Sequence, residues 1–125
     1  MKIIKTRTGE FFIDKNAILH AIMFKGVLVD YEDALDNFLV IKNLTNNTPC
    51  VKLIDVSNSP RIDSKAKKFL ENKELQTMTK ARAILTSNRV KKVSFNFFLQ
   101  FNSAKVPTKF FIDYDEAINW LKEYL

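Results

Sequence analysis

The chain has 125 residues, 46% of them hydrophobic, and its 20 Lys and Arg against 14 Asp and Glu leave a formal charge of +6. That length suits a single domain, 1–125, with one core, no apolar run approaches the roughly 20 residues of a membrane-spanning helix, and the lone Cys50 excludes an internal disulfide or a cysteine-built metal site. MKIIKTRTGE has no apolar stretch after its charges, so no signal peptide is expected and the cytoplasm is the expected location.

In chain order, EFFIDKN and AILHAIMF read as two strands joined by a turn at Asp14, Lys15 and Asn16, a hairpin. VDYEDALDNFLVIKNL follows with Ala34, Leu35, Phe38 and Ile41 at helical spacing, Asp30 as N-cap and acidic residues in the first turn. Asn46, Asn47 and Pro49 end that helix. CVKLIDV, 50–56, is short, β-branched and largely apolar, as a buried central strand should be. SKAKKFLENKEL reads as one amphipathic helix capped by Asp63, with Ala66, Phe69, Leu70 and Lys73 on one face and Lys67, Lys68, Glu71 and Asn72 outside.

ARAILTSN is a further buried strand and TKFFID a last one, before the closing helix YDEAINWLKEYL, whose apolar stripe is Ala117, Ile118, Leu121 and Leu125. Between those strands VKKVSFNFFLQF fits both periods: Val93, Phe95, Phe97, Leu99 and Phe101 alternate, while Val90, Val93, Phe97 and Phe101 are spaced as on a helix. The need for a crossover between parallel strands favours the helix. Phe95 and Phe98 then point away from its Phe97 face, so Phe95, Phe98 and Phe101 are expected in a self-contact that makes a dimer, the competing reading being cover by a neighbouring loop.

VDYEDAL at 29–35 and IDYDEAI at 112–118 match in pattern because both start a helix: an aspartate cap and acidic first turn satisfy free N–H groups in either place. The fold expected is α/β, a mixed sheet of roughly four to six strands with an N-terminal β-hairpin and about four helices, starting after Asp30, Asp63, Asn88 and Asp113.

Catalytic strings such as GxGxxG, GxxxxGK[ST], HExxH and GxSxG do not occur. His20, the sole histidine, lies in a strand-like apolar run without a nucleophile or base near it in sequence, which suits a packing or hydrogen-bonding role. Most acidic residues stand at helix starts, where capping explains them better than metal binding or paired acid–base chemistry. No cofactor, metal or catalytic residue is expected. Arg61, Lys65, Lys67 and Lys68 cluster about a helix start and read either as a solvated basic face or as an anion site.

LIDVSNSPRIDSKA resembles the strand, loop and helix start of STAS domains, the module of anti-sigma-factor antagonists and sulfate-transporter tails, and FFIDYDEAINWL is similar to the end of small bacterial SpoIIAA-like proteins. The resemblance covers most of the chain after about Phe11. It implies a STAS/SpoIIAA-like fold and a non-catalytic regulatory module that binds another bacterial protein, an anti-sigma factor or a kinase-like one. Asp63 matches the family's aspartate and Ser64 its first serine, whereas Lys65 stands where the family's phosphorylated serine would be and Ala66 where it has glycine. A lysine takes no phosphate from a serine kinase, so the usual switch is expected to be lost or moved.

The partner surface implied comprises Ser57, Asn58, Arg61, Asp63, Ser64, Lys65 and Lys68. The alternative is a domain for a small apolar or anionic ligand, since some STAS and related lipid-binding folds share such pockets. Nucleic-acid binding ranks below both, because it needs aromatic and basic residues interleaved on one face and the aromatics here lie in core-like runs.

Overall fold

The computed structural model describes residues 1–87 and 106–125. Its strands are β1 (Ile4–Lys5), β2 (Gly9–Ile13), β3 (Ile18–Met23), β4 (Leu28–Val29), β5 (Cys50–Asp55), β6 (Arg61–Ile62), β7 (Thr79–Leu85) and β8 (Thr108–Phe111). The helices are α1 (Tyr31–Leu44), α2 (Ser64–Leu70), α3 (Lys73–Thr77) and α4 (Tyr114–Lys122).

Six strands form the main sheet in the order β1-β2-β3-β5-β7-β8. The β1, β2 and β3 pairings are antiparallel and the β3–β5, β5–β7 and β7–β8 pairings parallel, so the expected mixed sheet with its hairpin at one side is what the chain forms. The hairpin turn is held by Asp14, whose Oδ1 accepts the N–H groups of Asn16 at 2.8 Å and Ile18 at 3.1 Å. This is the local side-chain bonding that makes aspartate a turn residue.

Alternation along the parallel strands divides the core. Val51 and Leu53 of β5 and Ala81 and Ala83 of β7 pack against Ala117 and Leu121 of α4. Ile84 of β7, on the opposite face, joins Met23, Val29, Ala34, Ile62 and Ala66 under α1 and α2. Both faces of the central strands are therefore covered, as parallel strands require. Two adjacent positions on the second face are not apolar. Lys52 of β5 is in register with Arg82 of β7, and Lys52 is only 8% exposed.

The expected caps at Asp30, Asp63 and Asp113 are present. Each accepts the N–H group three residues on, at 2.9 Å from Asp33, 2.9 Å from Ala66 and 3.1 Å from Glu116. Asp33 returns a bond from the Asp30 N–H at 3.0 Å, completing a capping box. At the far end of α1, Asn46 and Asn47 take left-handed backbone with φ of 52° and 59°, ending the helix where expected.

Two local expectations need correction. SKAKKFLENKEL is not one helix: α2 stops at Leu70, and Asn72 Oδ1 accepts the Glu74 N–H at 2.8 Å to start α3, so Lys73 belongs to the second helix. Asparagine competes for backbone hydrogens and so divides the segment. Leu125 is exposed rather than on the apolar stripe, because α4 ends at Lys122. A parallel pair of two-residue strands, β4 with β6, carries no periodic signal and was not anticipated. The helix expected after Asn88 lies outside the described residues.

Candidate functional site

Loop 57–63 leaves β5 through a turn organised by Asp55, whose Oδ1 accepts both the Ser57 N–H at 2.9 Å and the Ser57 hydroxyl at 2.5 Å. Ser59 follows in left-handed backbone, φ 57°, donating its N–H to the Val56 carbonyl at 3.1 Å. The β3–β4 turn then holds the loop in place: Gly26 N–H donates to the Asn58 carbonyl at 3.2 Å, Arg61 N–H to Val27 at 2.8 Å and Asp63 N–H to Val29 at 3.0 Å. Pro60 is buried beneath.

This frame delivers the chain to α2 with Asp63 as cap. Asn58, Arg61, Ser64, Lys65 and Lys68 are exposed, while Ser57 and Asp63 are half-buried. The residues named as a partner surface thus flank one helix start. Lys67 departs from the basic cluster, because its Nζ lies 2.5 Å from Glu71 Oε1 one turn on. Arg61, Lys65 and Lys68 remain as its solvent-facing members.

Sequence spacing missed one contributor. Tyr31, 44% exposed at the start of α1, meets Phe69 of α2 edge-on with ring centroids 5.4 Å apart. Together with Lys65, Lys68, Glu71 and Asn72 these rings line a shallow groove of about 550 Å³. Tyr31 and Lys65 are distant in sequence, and only packing of α1 on α2 brings them to one groove. The two rings give the groove an apolar part, and Lys65, Lys68, Glu71 and Asn72 give it a charged and polar rim.

His20 is 4% exposed, with Nε2 2.8 Å from Asp14 Oδ2 and its ring stacked on Phe12 at 4.6 Å. Burial pushes the Asp14 carboxyl up, but bonds from His20, Ile18 and Asn16 outweigh it and hold the group below its ordinary range. His20 thus sits in a packing arrangement, hydrogen-bonded through Nε2 and with the Tyr114 ring centroid 6.2 Å away. Among the described residues, no three His, Cys, Asp or Glu side chains gather closely enough to hold a metal ion. Nor is any described helix long and apolar enough to cross a membrane. Phe95, Phe98 and Phe101, expected in a self-contact, lie outside the described residues.

Among protein families, the one described as "Domain of unknown function (DUF7793)" matches residues 11–125. The chain belongs to that family. No curated protein matches this DUF7793 chain. Among solved structures it is similar to an uncharacterised DUF3478-family protein with a SpoIIAA-like fold from Shewanella loihica PV-4, at 17% identity and a TM-score of 0.61 over 96% of this chain and 90% of that one. Identity at that level speaks for the fold alone. The DUF7793 chain therefore has the SpoIIAA-like fold implied by LIDVSNSPRIDSKA and FFIDYDEAINWL.

Proposed function

We propose that the chain is a single-domain, non-catalytic regulatory module of the cytoplasm that binds another protein, resembling an anti-sigma-factor antagonist but lacking its phosphoserine switch. The observation that carries this reading is Lys65, exposed in the first turn of α2, where the STAS resemblance would place a phosphorylated serine. A lysine there faces the positive end of the helix, an arrangement disfavoured by roughly 0.3 to 1 kcal/mol. An acidic group on a partner offsets that cost, and Arg61 and Lys68 enlarge the same basic surface. Tyr31 and Phe69 supply an apolar anchor beside it. Anti-sigma factors and kinase-like proteins are the partner class the resemblance implies.

The test combines phosphopeptide mass spectrometry on protein from its native cells with partner binding by wild type, Ser64→Ala and Lys65→Glu. Unmodified Ser64, with binding lost in Lys65→Glu and kept in Ser64→Ala, is the expected result. Stoichiometric phosphate on Ser64 that abolishes binding would mean that the switch persists one residue earlier. Self-association through Phe95, Phe98 and Phe101 belongs to the same proposal, and light scattering that shows a monomer at high concentration removes it.

A further inference from the structure

Between the sheet and helices α1 and α3 lies a cavity of about 120 Å³. Its walls are mostly apolar and include Phe11, Met23, Phe38, Ile54 and Leu75, and Lys52 lines it as well. Alternation along β5 puts Lys52 on the same face as Ile54, where Ile84 of neighbouring β7 packs under α1 and α2. At 8% exposure the side chain is almost wholly withdrawn from water.

Among the described residues no carboxylate pairs with it and no hydrogen bond reaches its Nζ. The polar neighbours are engaged elsewhere. Asn37 Nδ2 donates to Thr8 Oγ1 at 2.9 Å while its Oδ1 accepts the Thr6 hydroxyl at 2.7 Å, and Arg82 Nε donates to Thr108 Oγ1 at 2.8 Å. Burial pushes the Lys52 ammonium below its ordinary range, outweighing the opposite effect of nearby Cys50, and the adjacent Arg82 charge adds to the lowering. A buried charge without a counter-charge is costly, and an anion brought to it relieves the cost.

We propose that this cavity binds a small amphipathic monocarboxylate, with its carboxylate on Lys52 and its apolar body against Phe11, Met23, Phe38 and Ile54. Size and charge select that class. An apolar cavity of roughly 150 Å³ accepts a benzene ring, so a space of about 120 Å³ suits a compact body of roughly that bulk, such as a short acyl chain. Lys52 brings to the wall an ammonium with no carboxylate beside it among the described residues, and the Arg82 guanidinium, which lines the same cavity, adds to the positive field that draws an anion. Inorganic phosphate has no apolar body to fill the largely apolar wall, so a short-chain carboxylate uses the space better.

Hexanoate is the first probe, with hexanol as its neutral counterpart and inorganic phosphate as the headless anion, each titrated into the isotope-labelled full chain. Hexanoate is expected to give saturable NMR shifts at the Met23 and Ile54 methyl groups and the Lys52 side chain. Lys52→Met is expected to weaken hexanoate by about tenfold or more while leaving hexanol unchanged. Of loop 57–65 only Ile62 reaches the cavity wall, so Lys65→Glu is expected to leave hexanoate binding intact even if the partner surface proves wrong. Absence of saturable shifts in the wild-type cavity, shifts confined to α2 near Lys65 and Lys68, equal hexanoate affinity in Lys52→Met, or phosphate binding as tightly as hexanoate would each overturn the assignment. The wild-type titration decides the matter even if the variant folds poorly.

Discussion

Arg7 Nε donates to Asp33 Oδ1 at 2.9 Å, and Arg7 Nη2 closes a second bond to the other carboxylate oxygen, fastening the turn before β2 to the first turn of α1. The side chain of Asp33 is nearly buried and also serves the Asp30 capping box. The Arg7 bond holds its carboxyl below the ordinary carboxylate range, against the opposing effect of burial. A carboxyl with a depressed folded pKa contributes stability that is present above its unfolded value of about 4 and is lost as pH falls through the lower folded value. Asp33→Asn should thus cost about 1 to 3 kcal/mol at neutral pH. The gap from wild type should shrink progressively below about pH 4. Urea unfolding of both proteins across that range checks the sign.

Lys52 gives the opposite dependence. Its folded pKa is lowered by burial, so the charged form penalises the folded state below that pKa, and the penalty fades as pH rises towards the unfolded value of about 10.4. Lys52→Met, which keeps an unbranched apolar chain, should be more stable than wild type by on the order of 1 kcal/mol or more at neutral pH. Its advantage should diminish as pH approaches about 10. A thermal unfolding series that shows Lys52→Met less stable at neutral pH would contradict the reading of an unpaired buried charge.

Gly9 is required by close approach rather than by its backbone angle. A Cβ built there meets the Ile22 carbonyl oxygen at 2.8 Å and Met23 Sδ at 3.3 Å across the β2–β3 ladder. The carbonyl belongs to the paired strand and cannot move without loosening the pairing. Gly9→Ala should destabilise by roughly 1 to 3 kcal/mol, measurable as a lower denaturant midpoint with an unchanged slope.

At the start of α2 the two expected effects have opposite signs. Asp63→Ala removes the acceptor of the Ala66 N–H and should cost about 0.5 to 2 kcal/mol. Lys65→Glu places a negative charge at the positive helix end and should leave stability unchanged or raise it by roughly 0.3 to 1 kcal/mol. Loss of partner binding by Lys65→Glu therefore cannot be blamed on unfolding. A melting temperature for Lys65→Glu below that of wild type would undermine that control.

Much of the architecture was legible because its signals are local. A cap needs only an aspartate and the N–H three residues on, so Asp30, Asp63 and Asp113 marked three helix starts directly. The turn at Asp14 depends on bonds reaching no further than Ile18. CVKLIDV announced a buried strand because covering both faces demands apolar residues on both. The placement of Asp63, Ser64 and Lys65 at one exposed helix start followed from the same short-range logic.

What required the tertiary structure was everything set by distant residues. The two-residue strands β4 and β6 have no period to detect, and they exist because the β3–β4 turn and loop 57–63 lie side by side. Arg7 finds Asp33, and Tyr31 finds the Lys65 groove, only through the docking of α1. Alternation in CVKLIDV could place Lys52 opposite Val51 and Leu53, but not reveal that α1 and α3 roof its face into a cavity. Hydrophobic patterning reports which side a residue faces; whether that side is dry, and whether a charge there meets a partner, is decided by chain segments far away in sequence.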